Sequence, residues 1–191
     1  PNEIAQNQAF CGCGGLETPR NSGANIWMHN NFLVERSGKM SKSSGEFLRL
    51  QLLIDKGFHP LAYRMMCLQA HYRSELEFSW EGLEAALTRL KRMLYEVEHL
   101  RVEERDEVWF KAAREFLQDD TTSLFDKVEL LRLQLGERGR AWYSDIDAAI
   151  SDDINTPKVL AILDSVMSDR ILDLSDELRL SLIGGLILGI D

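Results

Sequence analysis

The sequence predicts a mainly α-helical protein, in which a helical bundle follows a small N-terminal α/β portion. The 191 residues are 45% apolar, which is enough to bury a core. From about residue 48 onward, apolar residues recur at spacings of three and four, as on the buried face of a helix. Only residues 26–34 mix aromatic, β-branched and polar residues as a strand does. We therefore expect a helical core with one β-hairpin at most.

The N-terminal part alternates short predicted elements with a long loop. Residues 2–9 favour a short helix, and residues 11–25 favour a loop because they are rich in Gly, Ser, Asn and Pro. The predicted strand at 26–34 runs into a turn at Glu35 to Gly38. A helix that starts near Leu48 is predicted to stop at Gly57.

The rest of the chain is predicted to be a series of helices. Pro60 favours a helix start that runs to about Ala70, and Ser79 is a candidate cap for a long amphipathic helix. Thr156-Pro157 is predicted as another cap followed by a first-turn proline, and Asp153, Asn155 and Thr156 together are predicted to form a turn and helix cap. The later apolar stripes predict helices at Val108 to Leu117, Leu124 to Leu135, Ala141 to Ile150, Thr156 to Met167 and Ser175 to Ile190, with breaks at Asp119-Asp120, Gly136 to Gly139, Asp152-Asp153 and Asp169.

The charge distribution limits the ligands that the chain can bind. Residues 1–100 contain 11 basic and 11 acidic side chains, so residues 101–191 carry the whole net charge of −9. Recognition of a polyanion needs locally clustered Lys or Arg, and an acidic half binds such ligands poorly. A nucleic-acid contact is therefore expected only at a local basic patch, for which Arg89, Lys91, Arg92 and Arg101 are candidates beside the alternative of a solvated helix face.

The composition also bears on the cellular location of the protein and on the redox state of its cysteines. No apolar run reaches the roughly 18–20 residues that cross a bilayer, and the first residues do not resemble a signal peptide. A soluble, cytoplasmic protein is expected. Three cysteines are an odd number in a chain of ordinary size, so we expect reduced thiols rather than a disulfide framework.

The segment GKMSKSSG, residues 38–45, has the composition of a phosphate-binding loop. Lys39 and Lys42 offer two ammonium groups, the serines offer hydroxyl and backbone donors, and a glycine at each end permits unusual backbone angles. Cations that grip a phosphate more tightly as charge builds in the transition state lower the barrier. Taken alone, the pattern is also compatible with a solvated turn.

Five segments together resemble one enzyme family. KMSKS at 39–43 matches the signature of class I aminoacyl-tRNA synthetases letter for letter. NEIAQ, WMHNNFL, GKMSKSSGEF, HYRSELEFS and DDINTP occur at 2–6, 27–33, 38–47, 71–79 and 152–157, in the order and rough spacing of cysteinyl-tRNA synthetases. The resemblance runs from residue 2 to at least Pro157.

The resemblance implies that the protein activates cysteine with ATP and Mg²⁺ and transfers it to tRNA(Cys). By this analogy Lys42 is the main ATP contact, Lys39 supports the pyrophosphate, and Met40, Ser41 and Ser43 complete the loop. His29 lies in the WMH segment, which in the family is close to the active site. For His29, a place in the substrate pocket and a structural hydrogen bond both remain open.

The family also binds the cysteine thiolate on a zinc ion, and only part of that site falls in this sequence. Glu3 corresponds to the family's glutamate ligand, whereas the histidine, the two cysteine ligands and the HIGH motif are expected upstream of Pro1. The chain therefore resembles the C-terminal part of the enzyme, and the isolated chain is expected to be inactive without an N-terminal catalytic half. Cys11 and Cys13 with Glu3 form an alternative zinc set; the other interpretation is a glycine-rich surface loop.

By the same resemblance the chain divides into three parts. Residues 1–47 end the class I, Rossmann-like catalytic domain, residues 48–100 form a connecting segment that faces the tRNA stem, and residues 101–191 form a helical bundle of the DALR type. Arg73 is predicted to pair with Glu75 or Glu77, or to touch tRNA phosphate. Cys67 is predicted in the core.

One departure from the family pattern leaves other functions open. The family continues its lysine motif with Leu-Gly-Asn, whereas this chain has Ser44-Gly45-Glu46. A carboxylate near the phosphates opposes ATP binding if it points inward. The alternatives are a synthetase-like interaction or tRNA-binding protein without catalysis, and the related ligase that joins cysteine to an amino sugar in mycothiol synthesis. The sequence does not indicate an oligomeric state.

Overall fold

The computed structural model describes residues 2–15, 17, 19–35, 49–104 and 107–190, which fall into two compact units, Pro1–Asn30 and Asn31–Asp191. Helices dominate, and the described residues contain one two-stranded sheet. The prediction of a mainly α-helical protein with a small α/β portion is therefore confirmed. The three-part division at residues 47 and 100 remains a prediction. Within the described residues no helix has both the length and the apolar character needed to cross a membrane.

The first unit consists of two helices and a loop that side-chain amides hold in place. Helix α1 spans Asn2–Cys11 and α2 spans Pro19–Ser22, so the helix expected at 2–9 is confirmed, and the predicted loop contains a short helix. The Gln8 amide donates to the Gly15 carbonyl (2.8 Å), and the Asn21 amide donates to the Gly14 carbonyl (2.8 Å). These side-chain hydrogen bonds satisfy backbone carbonyls that, in a helix or strand, would accept from a backbone N–H.

The sheet in the second unit differs from the predicted hairpin. Strands β1 (Leu33–Glu35) and β2 (Leu76–Phe78) are parallel, with Leu33 opposite Leu76 and Glu35 opposite Phe78. Parallel strands cannot be joined by a tight turn, and the described part of the connection, from residue 49 to residue 75, contains two helices. The strand predicted at 26–34 overlaps β1 only at its last two residues, so both its bounds and its partner were wrong.

Eight helices are described in the second unit, and most lie where apolar periodicity predicts them. They are α3 (Leu50–Asp55), α4 (Pro60–Leu68), α5 (Trp80–Glu104), α6 (Glu107–Gln118), α7 (Leu124–Leu133), α8 (Glu137–Ser151), α9 (Thr156–Val166) and α10 (Leu174–Leu188).

Side chains cap several of these helices. Ser79 Oγ accepts from the Gly82 N–H (3.0 Å), as predicted for the start of α5. Helix α8 begins earlier than expected because the Asp176 carboxylate accepts from the Gly136 N–H (3.0 Å) and so caps its first turn. Gly139, predicted as part of a break, is buried inside α8, where a Cβ would lie 2.5 Å from Asp176 Oδ2.

The core of the second unit is one cluster that extends from α3 to α10. Helices α9 and α10 approach closely at Gly184, where an added Cβ would lie 2.5 Å from Leu163 Cδ1. At the end of α10, the Arg64 side chain of α4 donates from Nε to the Leu188 carbonyl (2.8 Å), 124 residues away in sequence. Cys67, predicted in the core, is partly buried on α4, and this burial raises the pKa of its thiol.

Candidate functional site

The predicted lysine loop lies outside the described residues, but both of its flanks are defined. The residues concerned are Lys39, Met40, Ser41, Lys42 and Ser43, together with Glu46, and their assignments remain predictions. On one side the chain leaves β1 at Glu35, and on the other α3 begins at Leu50. The position of β1 therefore determines where the chain enters this segment.

Strand β1 is held by residues that precede β2. The Asn31 N–H donates to the Tyr72 carbonyl (2.9 Å), and the Asn31 side-chain amide donates to the Arg73 carbonyl (3.1 Å). The Leu76 N–H donates to the Phe32 carbonyl (3.1 Å) at the start of the parallel pairing. The chain that leads into β1 is thus bonded along its length to residues 72–76.

The side chains of Tyr72 and Arg73 contact the turn between α8 and α9 in the helical bundle. Tyr72 Oη donates to Asp153 Oδ1 (2.5 Å), and Arg73 bonds both oxygens of that carboxylate, from Nε to Oδ2 (2.6 Å) and from Nη2 to Oδ1 (3.1 Å). We call Tyr72, Arg73 and Asp153 the Asp153 clamp. Arg73 was predicted to pair with Glu75 or Glu77; Asp153, which is 80 residues away, is the partner that the structure provides.

His71 completes this cluster and has a defined tautomer. His71 Nε2 lies 3.1 Å from the Asp153 carbonyl oxygen, which can only accept, and the Arg73 N–H donates to His71 Nδ1 at 3.3 Å. The two contacts together require the proton on Nε2 and a lone pair on Nδ1. The neutral ring therefore satisfies both contacts at once.

The hydrogen bonds of the clamp shift the ionisation of its members. The hydrogen bond from Arg73, followed by that from Tyr72, lowers the pKa of Asp153 below its ordinary value. The hydrogen bond to Asp153 in turn raises the pKa of the Tyr72 hydroxyl and the pKa of the Arg73 guanidinium. The clamp therefore holds a carboxylate and a guanidinium in their charged forms at neutral pH.

The turn that carries Asp153 has an unusual backbone. Asp153 and Ile154 both have positive φ angles, +55° and +57°, which β-branched residues such as Ile adopt rarely. Asn155 then caps α9 by accepting from the Lys158 N–H (3.2 Å). The predicted turn and helix cap is therefore confirmed at Asn155, whereas Thr156 does not cap the helix: its Oγ1 donates to the Leu68 carbonyl (2.9 Å) at the end of α4.

The residues predicted for zinc do not form a site by themselves. Glu3 is exposed on α1, and the described residues contain no group of three or more His, Cys, Asp or Glu side chains that could hold a metal ion. Cys11 and Cys13 form a disulfide with their Cα atoms 5.3 Å apart, so the expectation of reduced thiols was wrong for these two, whereas Cys67 is free as expected. Thiols joined in a disulfide are not available as thiolate ligands. The described part of the chain therefore contributes Glu3 alone to the predicted set.

His29 lies in the first unit and is exposed. Its ring stacks on Trp27, with the ring centroids 6.4 Å apart and the planes 14° from parallel. This contact is compatible with both interpretations of His29, the substrate pocket and the structural hydrogen bond. Its assignment to ATP binding remains a prediction.

Two of the four predicted basic-patch residues are engaged within the bundle. Arg89 and Arg92 of α5 both bond the Asp164 carboxylate of α9, at 2.6 and 2.8 Å. Arg101 lies 3.5 Å from Glu98 on the same helix. The patch is therefore at least partly an inter-helix ion-pair cluster, and no local pattern in the sequence indicates its carboxylate, Asp164 on α9.

A cavity of about 1060 Å³ opens elsewhere in the bundle, between α5, α6 and α10. Its lining is mainly apolar, with charged residues that include Arg101, Lys111 and Arg114. The lining includes none of the residues predicted to act in catalysis or to bind ATP or zinc. The predicted lysine segment remains the candidate functional site, and the described residues next to it are β1 and the turn at residues 71–73 that carries the Asp153 clamp.

Comparisons with known proteins point in the same direction as the residues. Residues 1–88 match the family described as tRNA synthetases class I (C), catalytic domain. The chain is 57% identical over 178 residues to the cysteine–tRNA ligase of Novosphingobium aromaticivorans, covering 93% of this chain and 31% of that protein. It is 43% identical to the enzyme of the same name from Zymomonas mobilis (100% and 37%) and 33% identical to that from Treponema denticola (99% and 36%). The chain thus spans about a third of the length of the curated relatives it matches.

Proposed function

Because this chain belongs to the cysteine–tRNA ligase family, we propose that it is the part of such an enzyme that supplies the lysine loop and a tRNA-facing helical domain. The observation that carries the proposal is the 57% identity along 93% of the chain to one such ligase. The reaction has two steps, which are formation of cysteinyl-adenylate from cysteine and ATP, and transfer of the cysteinyl group to the 3′ end of tRNA(Cys).

In the first step a carboxylate oxygen of cysteine attacks the α-phosphorus of ATP, and the bond to the leaving pyrophosphate breaks. Negative charge grows on the leaving pyrophosphate. Mg²⁺ would be bound together with the ATP phosphates. Lys42 contacts these phosphates and Lys39 supports the departing group, since fixed cations aimed at developing charge lower the barrier. A loss of one such donor costs about 3–4 kcal/mol in other enzymes.

A zinc ion bound in the complete enzyme would supply selection for cysteine, because a thiolate is a much better zinc ligand than a hydroxyl. We assign Glu3 to that site as one ligand. The remaining ligands belong to other parts of the enzyme. No step of the reaction is assigned to the disulfide-bonded Cys11 and Cys13.

The first unit carries large apolar side chains that are exposed, and this supports a further catalytic portion as its partner. Phe10 is 93% exposed, Ile26 is 86% exposed and Met28 is 56% exposed. An unusual number of large exposed apolar side chains in so short a stretch is typical of a surface that another part of a protein covers. We propose that the rest of the class I catalytic domain packs on this unit.

Cysteine-dependent exchange of pyrophosphate into ATP tests the proposal. The enzyme that contains this chain is expected to catalyse the exchange and to charge tRNA(Cys), and the 191-residue chain alone is expected to do neither. The chain is then expressed together with the preceding catalytic portion, which should restore the exchange. Exchange by the 191 residues alone would contradict the assignment of the remaining catalytic groups to another portion.

The choice of acceptor separates the alternatives. Exchange with transfer to an amino sugar instead of tRNA would identify the mycothiol ligase. Binding of tRNA without any exchange in the complete protein would identify a non-catalytic interaction protein. Both outcomes would overturn the proposed function.

A further inference from the structure

Two turns that lie 80 residues apart in sequence are joined by the Asp153 clamp. Its side-chain contacts use both oxygens of the Asp153 carboxylate, and the backbone carbonyl of Asp153 takes a fourth contact from His71. A bidentate arginine pair restricts orientation as well as distance. The 71–73 turn is therefore held in one orientation on the α8–α9 turn.

The backbone of the same turn faces the other way, toward β1. The carbonyls of Tyr72 and Arg73 accept the two donors of Asn31, two residues before the strand begins. Side chains of residues 71–73 thus bind the bundle while their carbonyls bind the approach to β1. A displacement of this turn must move both sets of contacts.

The backbone at Asp153 shows that the turn is shaped at an energetic cost. Asp153 and Ile154 are two consecutive non-glycine residues with positive φ, a strained conformation that persists only where surrounding contacts hold it. Three sets of contacts hold this turn: the Asp153 clamp, the hydrogen bond by which Asn155 caps α9, and the hydrogen bond from Thr156 to the Leu68 carbonyl of α4. The direction of the Asp153 carboxylate is thus over-determined by its surroundings.

We propose that Asp153 is a positioning residue for adenylate formation, because it fixes through Tyr72, Arg73 and Asn31 the strand from which the chain enters the lysine segment. Lys39 follows Glu35, the last residue of β1, by four residues. Asp153 does not contact the substrate in this scheme. This inference rests on the proposed function and adds to it a role for the helical bundle in the ATP-dependent step.

The physical reason is the sensitivity of catalysis to position. A misplacement of catalytic groups by about 1 Å costs roughly 100-fold in rate. Loosening β1 should lower the rate constant for pyrophosphate exchange, whereas the cysteine concentration at half-maximal rate should change little. A loss of global stability alone would lower the amount of active enzyme and would speed amide exchange throughout the bundle rather than at residues 31–35 in particular.

The structure offers a matched control at Asp169. Its carboxylate also receives a bidentate arginine, from Arg138 at 2.7 and 2.9 Å, and an aromatic donor, from Trp142 at 2.9 Å. Among the described residues, Asp169 is hydrogen-bonded neither to residues 71–73 nor to β1, and its side chain is more buried than that of Asp153 (7% against 43% exposed). Its replacement therefore reports the cost of losing a bidentate ion pair elsewhere in the bundle.

The test compares Asp153→Asn, Asp153→Ala and Asp169→Asn in the enzyme that contains this chain. Amide hydrogen exchange of residues 31–35 and steady-state pyrophosphate exchange are measured for each. We expect the Asp153 variants to exchange these amides about tenfold faster and to lower kcat roughly 10- to 100-fold, with Ala worse than Asn because Asn retains a partner for Tyr72. Asp169→Asn should leave both quantities near wild type.

Two results would overturn the inference. One is unchanged protection of residues 31–35 in Asp153→Ala; the other is a kcat for the Asp153 variants that matches that of Asp169→Asn. A wild-type enzyme without cysteine-dependent exchange overturns the proposed function instead. In that case the hydrogen-exchange comparison still decides whether Asp153 fixes β1.

Discussion

Arg89 on α5 and Asp164 on α9, which are 75 residues apart in sequence, form a 2.6 Å ion pair across the helical bundle. Arg92 bonds the other oxygen of the same carboxylate at 2.8 Å. Asp164 and Arg89 are each about one-third exposed or less, whereas Arg92 is mostly exposed. The pair with Arg89 is therefore screened by water less than a surface ion pair.

Asp164→Ala should lower the free energy of unfolding by about 1–2 kcal/mol, because it leaves a partly buried guanidinium without its charged acceptor. Urea denaturation measures this change. Glu98→Ala is the control, since its pair with Arg101 is long (3.5 Å) and both side chains are more than half exposed. Equal effects of the two variants would show that the inter-helix pair contributes no more than a surface pair.

Gly184→Ala should destabilise the contact between α9 and α10. Alanine has the better helix propensity by about 1 kcal/mol, but its Cβ would overlap the buried Leu163 side chain, and overpacking costs about 1–3 kcal/mol. We expect a net loss of roughly 1–2 kcal/mol by thermal or urea unfolding.

A double-mutant cycle isolates the packing contribution at Gly184. In a Leu163→Ala background the overlap is absent, so Gly184→Ala should there be neutral or stabilising. Gly14→Ala is a second control, because nothing lies within 4 Å of an added Cβ at that position. Destabilisation of similar size in both backgrounds would contradict the overlap with Leu163.

Acid should weaken the bundle through Asp169. The hydrogen bond from Arg138, and next that from Trp142, lowers the pKa of the Asp169 carboxyl. A lowered folded-state pKa contributes stability that is present above the unfolded pKa of about 3.9 and is lost as pH falls through the folded value. Asp169→Asn should thus be less stable than wild type at pH 7, and the difference should shrink below about pH 4.

Urea midpoints measured from pH 7 down to pH 3 check this prediction. The Asp169→Asn variant should retain some acid dependence, since hydrogen bonds from Thr122 and Thr121 lower the pKa of Asp119 to about 2. A difference between wild type and Asp169→Asn that stays constant or grows with acid would be inconsistent with the ion pair as its source.

The disulfide between Cys11 and Cys13 predicts a specific labelling pattern. Under denaturing conditions without a reductant, an alkylating reagent should modify one cysteine per chain, which is Cys67. After reduction all three should react. In the native state Cys67 should react slowly at neutral pH, because burial raises its pKa and reduces the thiolate fraction. Mass spectrometry distinguishes these states, and three labels before reduction would exclude the disulfide.

Lys42→Ala should lower cysteine-dependent pyrophosphate exchange by about 100- to 1000-fold in the enzyme that contains this chain, because it removes a cation from the developing phosphate charge. The circular dichroism spectrum and the urea midpoint should stay close to wild type. Lys158→Ala, at an exposed position on α9, provides the control for loss of one positive charge. A near-normal exchange rate for Lys42→Ala would reject the phosphate role.

Local patterns predicted the helices well and the long-range pairings poorly. The apolar stripe and Ser79 placed α5, and Pro60 placed α4, because periodicity and caps depend on neighbouring residues. The hairpin was wrong because a three-residue strand takes its partner from elsewhere in the fold, here across two helices. The cap at Thr156 was wrong because the side chain found an acceptor at Leu68, 88 residues away.

The candidate site shows the same division. The lysine loop was identified from a contiguous motif, and its residues together with Glu3 and His29 remain predictions. Tyr72, Arg73 and Asp153 each lay in a segment that the sequence singled out, but charge complementarity over 80 residues leaves no local pattern. Their contact could therefore be found only from the three-dimensional arrangement.

The hydrogen bond between Arg64 and Leu188 also constrains when the bundle can be completed during synthesis. Helix α10 packs against α5, α7, α8 and α9. The faces of these helices that contact α10 therefore stay exposed until the ribosome has synthesised the chain to about residue 188. At about 5–20 residues per second, the ribosome needs roughly 6–25 s to pass from residue 64 to residue 188. During that interval the nascent chain exposes apolar helix faces, and its solubility then depends on chaperones rather than on the folded bundle.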